Sequence, residues 1–363
     1  MVEEELLEEL EESKNEIYKC PSCGANLIYK PETQSLYCEY CDYTLALEGT
    51  HSTEENDFFN TIKSTINNDE VKKASCKNCG AVIIIDKQDI TTKCPFCDTS
   101  IVLAIDEING LKPDRVIPFK IDDKVGKENY GKWIKKRFFA PSKLKKDIPN
   151  LNMYSIYTPS WTFDTNVIAT YEGRLGRRYT TYVGSGKNRR AVVRTRWFRI
   201  KGIHQKIVDD ILICSGKQIS QQEMINIQPF NTNDSFVFDN RYIVGHPTEH
   251  YALELENGWN YSKNLIIQQL QREILSKYHY DVVGYIKVNP NYNNVKYKYV
   301  LLPIWIGHYF YLKKKYRFLV NGENGKVWGK TPISIFKVLI VSVLSIMVLL
   351  LIFWAFASSG VNY

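Results

Sequence analysis

The chain has 363 residues, of which 44% are hydrophobic and 24% charged, a balance that excludes a wholly disordered chain and fits two or three folded domains. Its formal net charge of +7 is unevenly spread. Residues 1–112 hold 22 acidic and 10 basic side chains; the totals of 40 and 47 leave 18 acidic and 37 basic for residues 113–363. This split, −12 against +19, predicts that the acidic front docks on the basic body or that a basic face meets an anionic partner.

The N-terminal residues 1–17 predict an acidic helical arm. Seven Glu lie between Met1 and Glu12, and Leu6, Leu7 and Leu10 recur at helical spacing. The segment has no apolar run typical of a signal peptide. We therefore expect the paired cysteines that follow to stay reduced and to bind metal; the alternative is a disulfide scaffold.

Eight of the nine cysteines form a duplicated pattern. C-x2-C-x14-C-x2-C occupies residues 20–41 and recurs with the same spacing 56 residues later. Four thiolates at this spacing form a closed tetrahedral zinc site without an open position for catalysis, so we predict two Zn²⁺ per chain. Each unit is too small to bury a core, so the metal must supply much of its folding energy. The predicted ligands are Cys20, Cys23, Cys38, Cys41, Cys76, Cys79, Cys94 and Cys97.

These patterns predict a zinc ribbon at 18–48, a helical linker at 49–72 and a second ribbon at 73–104. Zinc ribbons bind nucleic acid in some proteins and dock proteins in others. Phosphate binding requires clustered Lys and Arg, which the ribbons lack. Protein docking is therefore the favoured interpretation.

Residues 105–333 predict a basic, antiparallel α+β domain. Helices are expected at 126–139 and 260–278, followed by strand-rich segments at 154–171 and 297–320. A Pro-x-Trp sequence occurs after each helix, at Pro159 and at Pro303, which suggests two degenerate halves.

Basic residues concentrate in three clusters of this domain, at 132–146, 174–196 and 313–317. Beside a membrane such clusters attract anionic headgroups. Solvated helix and strand faces are the alternative, and nucleic acid and an acidic protein are further candidate partners. The predicted anionic-lipid or partner contacts are Lys135, Lys136, Arg137, Arg177, Arg178, Arg189 and Arg190.

A transmembrane helix is predicted at 334–357. Its segment from Val338 to Ala357 has twenty residues without a charge, fourteen of them Leu, Ile, Val or Phe, and a helix of this length spans a bilayer core. A buried soluble helix is the alternative. Lys326, Lys330 and Lys337 precede the span, so the positive-inside rule predicts a single-pass cell-membrane protein with a cytoplasmic N-terminus. Residues 358–363 would form a short non-cytoplasmic tail, as in tail-anchored proteins.

Three motifs could indicate an enzyme, and we interpret each as structural. The sequence from His246 to His250 fits H-x-x-E-H, but Pro247 disfavours the helix that this metallohydrolase motif needs. Cys214 lies in an apolar run, as a buried thiol does, and Asp209-Asp210 suits a turn better than a cation site. The sequence lacks a Gly-rich phosphate loop and G-x-S-x-G, so we predict no catalytic residues and no small-molecule substrate.

The chain resembles a family of bacterial tail-anchored zinc-ribbon proteins encoded beside SPFH-domain (flotillin-like) and phage-shock-type proteins. Their ribbons are likened to those of a primosomal helicase or a general transcription factor. The resemblance implies recruitment of an SPFH-type partner to the membrane during envelope stress. It rests on the paired ribbons and on 157–164, 195–197, 209–212, 256–259 and 302–305. We therefore expect a membrane-anchored scaffold; the alternative is a membrane-attached nucleic-acid-binding protein.

Overall fold

A computed structural model describes residues 18–64, 72–75, 82–85, 90–93, 100–102, 110–145, 151–312 and 314–359. The predicted acidic arm and the cysteines of the second repeat, Cys76, Cys79, Cys94 and Cys97, lie outside these residues. Within them the fold is mixed α and β, with five α-helices, a large antiparallel sheet and an apolar C-terminal helix.

The N-terminal elements are short. The segment predicted as the first ribbon, residues 18–48, contains a three-stranded antiparallel sheet, and the second repeat contributes two separate pairs of antiparallel strands. In the predicted helical linker, residues 50–57 are not helical, and a helix covers only the end of the described segment, from Phe58 to Ser64. The elements are β1 (Ile28–Lys30), β2 (Ser35–Tyr37), β3 (Thr44–Ala46), β4 (Asn56–Asp57), α1 (Phe58–Ser64), β5 (Lys72–Ser75), β6 (Val82–Ile85), β7 (Thr91–Lys93) and β8 (Ser100–Val102).

The remaining elements include three strands of 25 residues or more. They are β9 (Arg115–Val116), α2 (Asp123–Lys135), β10 (Asn152–Val183), β11 (Arg190–Cys214), α3 (Gln221–Ile227), β12 (Phe236–Val237), α4 (Leu255–Ser276), β13 (Val282–Tyr311), β14 (Lys314–Asn321), β15 (Val327–Gly329) and α5 (Ile335–Ser359). Helix α2 begins three residues before its predicted start because the Asp122 side chain accepts a hydrogen bond from Val125 N and caps the helix.

The main sheet has the strand order β11-β10-β13-β14-β15, with every neighbouring pair antiparallel. The two Pro-x-Trp sequences lie on adjacent strands, where Pro159 pairs with Leu301 and Tyr157 with Pro303. Strand β4 adds a short pairing with β13, so the chain after the first ribbon is tied directly to this sheet.

The proximal half of the sheet is buried on both faces. Residues 155–163 of β10 are all buried. One face packs Trp161 and Phe163 with α4 and the ribbons, and the other packs Ile156 against a separate cluster that includes Met224 and Ile227 of α3. This half is the core of the molecule.

All three long strands are irregular at the same position along the sheet, next to Asp164 and Thr165 of β10. Residues 209–210 of β11 stand opposite Asp164, and residues 294–295 of β13 stand opposite Thr165. Asp210 and Asn294 have positive φ angles of 47° and 53°. Such bulges bend strands and increase their twist, so this level divides the sheet into a proximal half and a distal arm.

The distal arm consists of residues 165–183 of β10, 190–208 of β11 and 282–293 of β13. Helix α4 covers one face, where Val167, Ala169 and Leu175 are buried. On the opposite face Ile168, Ile203 and Ile207 are 45%, 65% and 80% exposed. The arm is therefore a sheet covered on one side only among the described residues.

Helix α5 is apolar and exposed. Its residues 335–355 are long and apolar enough to cross a membrane, and none of the most apolar stretch is buried within the protein. The helix base is attached to the loop after α2, since Ser334 N donates to Phe139 O at 2.8 Å. Lys337 Nζ donates to Ala140 O at 2.7 Å.

Candidate metal centre and partner-binding surfaces

The four cysteines of the first repeat converge on one point. All four Sγ atoms lie within 4.8 Å of one another, with Cys20 Sγ and Cys41 Sγ 3.4 Å apart and Cys23 Sγ and Cys38 Sγ 3.5 Å apart. Four thiolates around one zinc ion at about 2.3 Å stand roughly 3.8 Å from each other. The arrangement therefore fits a metal ion bound by four thiolates.

The two knuckles of this centre have the same backbone hydrogen bonds. Cys20 N donates to Ala25 O and Gly24 N donates to Cys20 O, at 2.7 and 2.9 Å. In the second knuckle Cys38 N donates to Tyr43 O and Asp42 N to Cys38 O, at 2.9 and 3.1 Å.

Each knuckle closes through a residue in the left-handed region. Gly24 has φ of 76° and Asp42 has φ of 59°. Glycine adopts this conformation without strain, and aspartate is one of the few other residues that tolerate it. The sequence therefore supplies a suitable residue immediately after the second cysteine of each pair.

Without a metal the thiols compete for protons. Burial raises the pKa of Cys20, but hydrogen bonds from the backbone of Cys23 and Ser22 outweigh it and lower the pKa to about 7. A backbone hydrogen bond at Tyr43 lowers the pKa of Cys41, yet its contact with Cys20 raises the pKa to about 12. Binding a divalent metal would displace the remaining protons, so metal affinity should fall at low pH.

The first ribbon is fixed to the main domain. Tyr29, which is 2% exposed, donates its backbone N–H to Val244 O at 3.0 Å, and its ring contacts Tyr242. The second repeat meets the same loop, because Ile90 N donates to Thr248 O at 2.9 Å and Thr91 Oγ1 donates to His246 O at 3.0 Å. Residues 242–248 therefore hold both repeats.

His246 is a packing residue of this loop. Its ring stacks on Phe119 with centroids 4.7 Å apart. Nε2 lies 3.4 Å from Tyr29 O, which can only accept, so Nδ1 accepts from Ser155 Oγ at 2.8 Å. Burial lowers the pKa of His246 to about 4, and the neutral ring is stable at pH 7.

The H-x-x-E-H motif lies in a loop and not on the helix that this metallohydrolase motif needs. Residues 246–250 form a loop in which Thr248 makes a bridge with Tyr157. His250 Nδ1 lies 3.1 Å from Tyr299 Oη, and His246 is turned toward Tyr29 and Ser155. The metal-ligand groups of the described residues include the four cysteines and no group from this motif.

Cys214 and Asp210 are also part of the packed interior. Cys214 is 7% exposed, and burial raises its pKa to about 12, which suits a core thiol. Asp210 Oδ1 lies 2.9 Å from Lys298 Nζ, which Glu55 also contacts at 3.3 Å. Burial and a hydrogen bond from Glu55 raise the pKa of nearby Asp164 to about 8. The network sits at the level of the bulges.

The predicted basic contacts separate into two groups. Lys135, Lys136 and Arg137 are exposed at the end of α2, beside the base of α5. Arg177, Arg178, Arg189 and Arg190 are exposed at the end of the distal arm. Strand β10 joins the two ends and covers about 100 Å at roughly 3.3 Å per residue. The two groups therefore belong to different surfaces.

The arm tip combines guanidinium groups with aromatic rings. Arg177 lies over Phe198 at 5.5 Å, Arg196 over Tyr179 at 5.7 Å and Arg189 over Tyr182 at 4.3 Å. A shallow depression of about 580 Å³ opens between Arg178, Arg196 and their neighbours. Eight exposed arginines of the arm form no ion pair with a carboxylate of the described residues: Arg174, Arg177, Arg178, Arg189, Arg190, Arg194, Arg196 and Arg199.

The chain is similar to YdjG, an uncharacterized protein of Bacillus subtilis (strain 168). The two are 29% identical over 329 residues, which cover 88% of this chain and 91% of the relative. No family model and no solved structure matches the chain. The similarity extends over nearly the whole chain and assigns no function.

Proposed function

We propose that the protein is a non-enzymatic adaptor that α5 anchors in the cell membrane and that recruits a cytoplasmic protein. The separation of its two ends carries this proposal. Tyr309 Oη donates to Lys330 O at 2.7 Å, and this hydrogen bond joins the proximal half of the sheet to the segment before α5. The arginine-rich tip stands at the other end of β10, so one end holds the bilayer and the other is free to meet a partner.

The metal centre acts as a clamp in this proposal. Zinc bound by Cys20, Cys23, Cys38 and Cys41 would fix the first ribbon, whose Tyr29 packs on the main domain. A second zinc, bound by Cys76, Cys79, Cys94 and Cys97, follows from the duplication of the sequence. Closed four-thiolate sites supply folding energy and offer no open position for a reaction.

The partner proposed from the family resemblance is an SPFH-domain or phage-shock-type protein. We expect this partner to have an acidic surface. The unpaired arginines of the arm favour a partner that carries carboxylates, and they repel a partner that is positively charged. The acidic ribbon surface would bind poorly to nucleic acid, which also favours a protein partner.

Affinity purification of the full chain from detergent-solubilised membranes tests this function. We expect a partner that is retained by the wild type and lost from R194E/R196E at the arm tip. The control K124E/K217E changes as many exposed charges elsewhere. Retention of the same proteins by R194E/R196E would refute recruitment by the arm, and deletion of residues 1–104 tests the ribbons in the same way.

A membrane-attached nucleic-acid-binding protein is the second candidate. The observation that favours it is the alternation of arginine and aromatic side chains at the arm tip, as at surfaces that bind single strands. Fluorescence anisotropy with a single-stranded oligonucleotide would detect it. Binding that weakens steeply between 50 and 200 mM salt, at roughly the slope expected for phosphate contacts, and is lost in R194E/R196E would establish this candidate.

A further inference from the structure

The loop after α2 is built in an unusual way for a surface loop. It turns through hydrogen bonds from Arg137 N to Ile134 O and from Ala140 N to Arg137 O. Its small and aliphatic side chains point inward, with Ala140 and Leu144 1% and 7% exposed. Its two aromatic side chains point outward, with Phe138 64% and Phe139 41% exposed. The described part of this loop, residues 136–145, therefore presents two phenylalanine rings to its surroundings.

The exposed rings continue directly into the apolar helix. Ser334 N donates to Phe139 O, and Lys337 Nζ donates to both Phe138 O and Ala140 O. Around this junction Ile333, Ile335 and Phe336 are also exposed, at 64%, 74% and 71%. The phenylalanines and the first turn of α5 thus form one apolar surface.

Basic side chains lie next to this surface, on α2 and the loop that follows it. Five exposed groups lie on the last turns of α2 and in the loop, and none forms an ion pair with a carboxylate of the part of the chain that the structure describes. Among the described residues, the ion pair of α2 lies further back, between Lys127 and Asp123. The five are Lys132, Lys135, Lys136, Arg137 and Lys143.

We propose that this surface is a membrane-interface platform that rests on an anionic bilayer. The inference depends on the proposed insertion of α5, because the hydrogen bonds at Ser334 and Lys337 then hold the loop at the level of the headgroups. Phenylalanine rings partition into the interface, and lysine and arginine there attract anionic headgroups. The platform fixes the angle at which the sheet leaves the membrane, which a single helix joined by a flexible chain would not do.

Photo-crosslinking in vesicles tests the contact. The full chain carrying p-benzoylphenylalanine in place of Phe138 is reconstituted in vesicles of equal parts phosphatidylglycerol and phosphatidylcholine, and lipid adducts are detected by mass spectrometry. We expect adducts from position 138 and none from the same substitution at Tyr182 on the arm tip. Equal yields at both positions, or no adduct at 138, would overturn the platform.

A charge variant tests the preference for anionic lipid. Phosphatidylglycerol should be enriched about fivefold in the adducts at position 138, the factor that one basic group near an anionic surface supplies. K135S/K136S/R137S should abolish the enrichment, whereas R189S/R190S/R194S removes as many charges from the arm and should leave it unchanged. The platform is refuted if the first variant keeps the enrichment or the second loses it.

Extraction with alkaline carbonate separates this inference from the proposed function. If the wild type is extracted, α5 does not span the bilayer and both proposals fail. If the wild type stays in the membrane while position 138 gives no lipid adduct, the anchor stands and only the platform fails.

Discussion

The two halves of β10 belong to one continuous strand but differ in what surrounds them. Residues 155–163 are buried on both faces, whereas residues from Thr165 to Leu175 alternate between buried and exposed. The even-numbered positions show the contrast best, because Thr158, Ser160 and Thr162 are fully buried under the second core cluster. The equivalent face of the arm is open, so the same strand provides both a core and an interaction surface.

The boundary between the halves is electrostatic as well as geometric. At the bulges, Glu55 and Asp210 share the buried Lys298, whose side chain is 3% exposed, and Asp164 lies beside Asp210. Asp210 N donates to Asp164 Oδ1, and Thr232 Oγ1 donates to Asp210 Oδ2 at 2.6 Å. A buried charge network of this kind fixes one arrangement of the strands, because alternatives would leave a charge unpaired.

The largest expected effect comes from removing Lys298, the cation of this network. Lys298→Met should reduce the free energy of unfolding by about 3–5 kcal/mol, because it leaves buried carboxylates without their partner. Lys296→Met is the matched control; its side chain is 41% exposed and 3.7 Å from Glu55, so the loss should be about 1 kcal/mol or less. Denaturant unfolding in detergent measures both, and equal losses would show that the boundary is not held by Lys298.

The two halves can be compared directly through one residue type on one face of β10. Ile156→Ala in the proximal half should cost about 2–5 kcal/mol, because Ile156 is 2% exposed and its removal leaves a cavity. Ile168→Ala in the arm should cost about 0.5 kcal/mol or less, since Ile168 is 45% exposed. Thermal unfolding of the pair checks this; a large cost at Ile168 would mean that the open face is covered.

The loop that holds the ribbons to the proximal half should respond to pH. The pKa of His246 is about 4 in the folded protein and about 6.5 in an unfolded chain, so the unfolded state binds the extra proton between these values. The contribution of His246 to the free energy of unfolding, about 3 kcal/mol, is fully present above pH 6.5 and is lost as the pH falls toward 4.

His246→Gln keeps a hydrogen-bonding side chain but cannot be protonated, so its unfolding free energy should vary less between pH 4 and 6.5. Denaturant unfolding across this range compares the variant with the wild type. Identical pH dependence in both proteins would place the sensitivity elsewhere, for example at the thiols of the metal centre.

The smallest expected effect is a gain of stability in the arm. Arg199 stands directly opposite Arg174 on the open face, and like charges in this position repel. Arg199→Glu should raise the unfolding free energy by about 0.2–1 kcal/mol, and Arg199→Gln by less. Unfolding at low and high salt checks the cause, because the gain should shrink as salt screens the charges. A loss of stability would show that Arg199 already has a favourable role in the fold.

The sequence predicted the local features of the protein well. The C-x2-C spacing predicted a four-cysteine cluster, because knuckle geometry is set by neighbouring residues, among them Gly24 and Asp42 in the structure. The apolar run in α5 and the helices α2 and α4 were expected for the same reason, with boundaries that differ by up to five residues. The long strands were underestimated, since β10 continues 12 residues past its predicted end and β13 begins 15 residues before its predicted start. Two degenerate halves and a second metal site remain predictions.

Other features needed the tertiary structure, because they depend on residues far apart in the chain. The sequence placed Lys135 and Arg177 in one class of basic contacts, and only the register of the long strands separates them by the length of the sheet. The same holds for His246, whose motif matches a catalytic site while its neighbours, Tyr29 and Phe119, make it a packing residue. Spacing along the chain determines turns, helices and metal knuckles; which surface a charge belongs to is decided by long-range pairing.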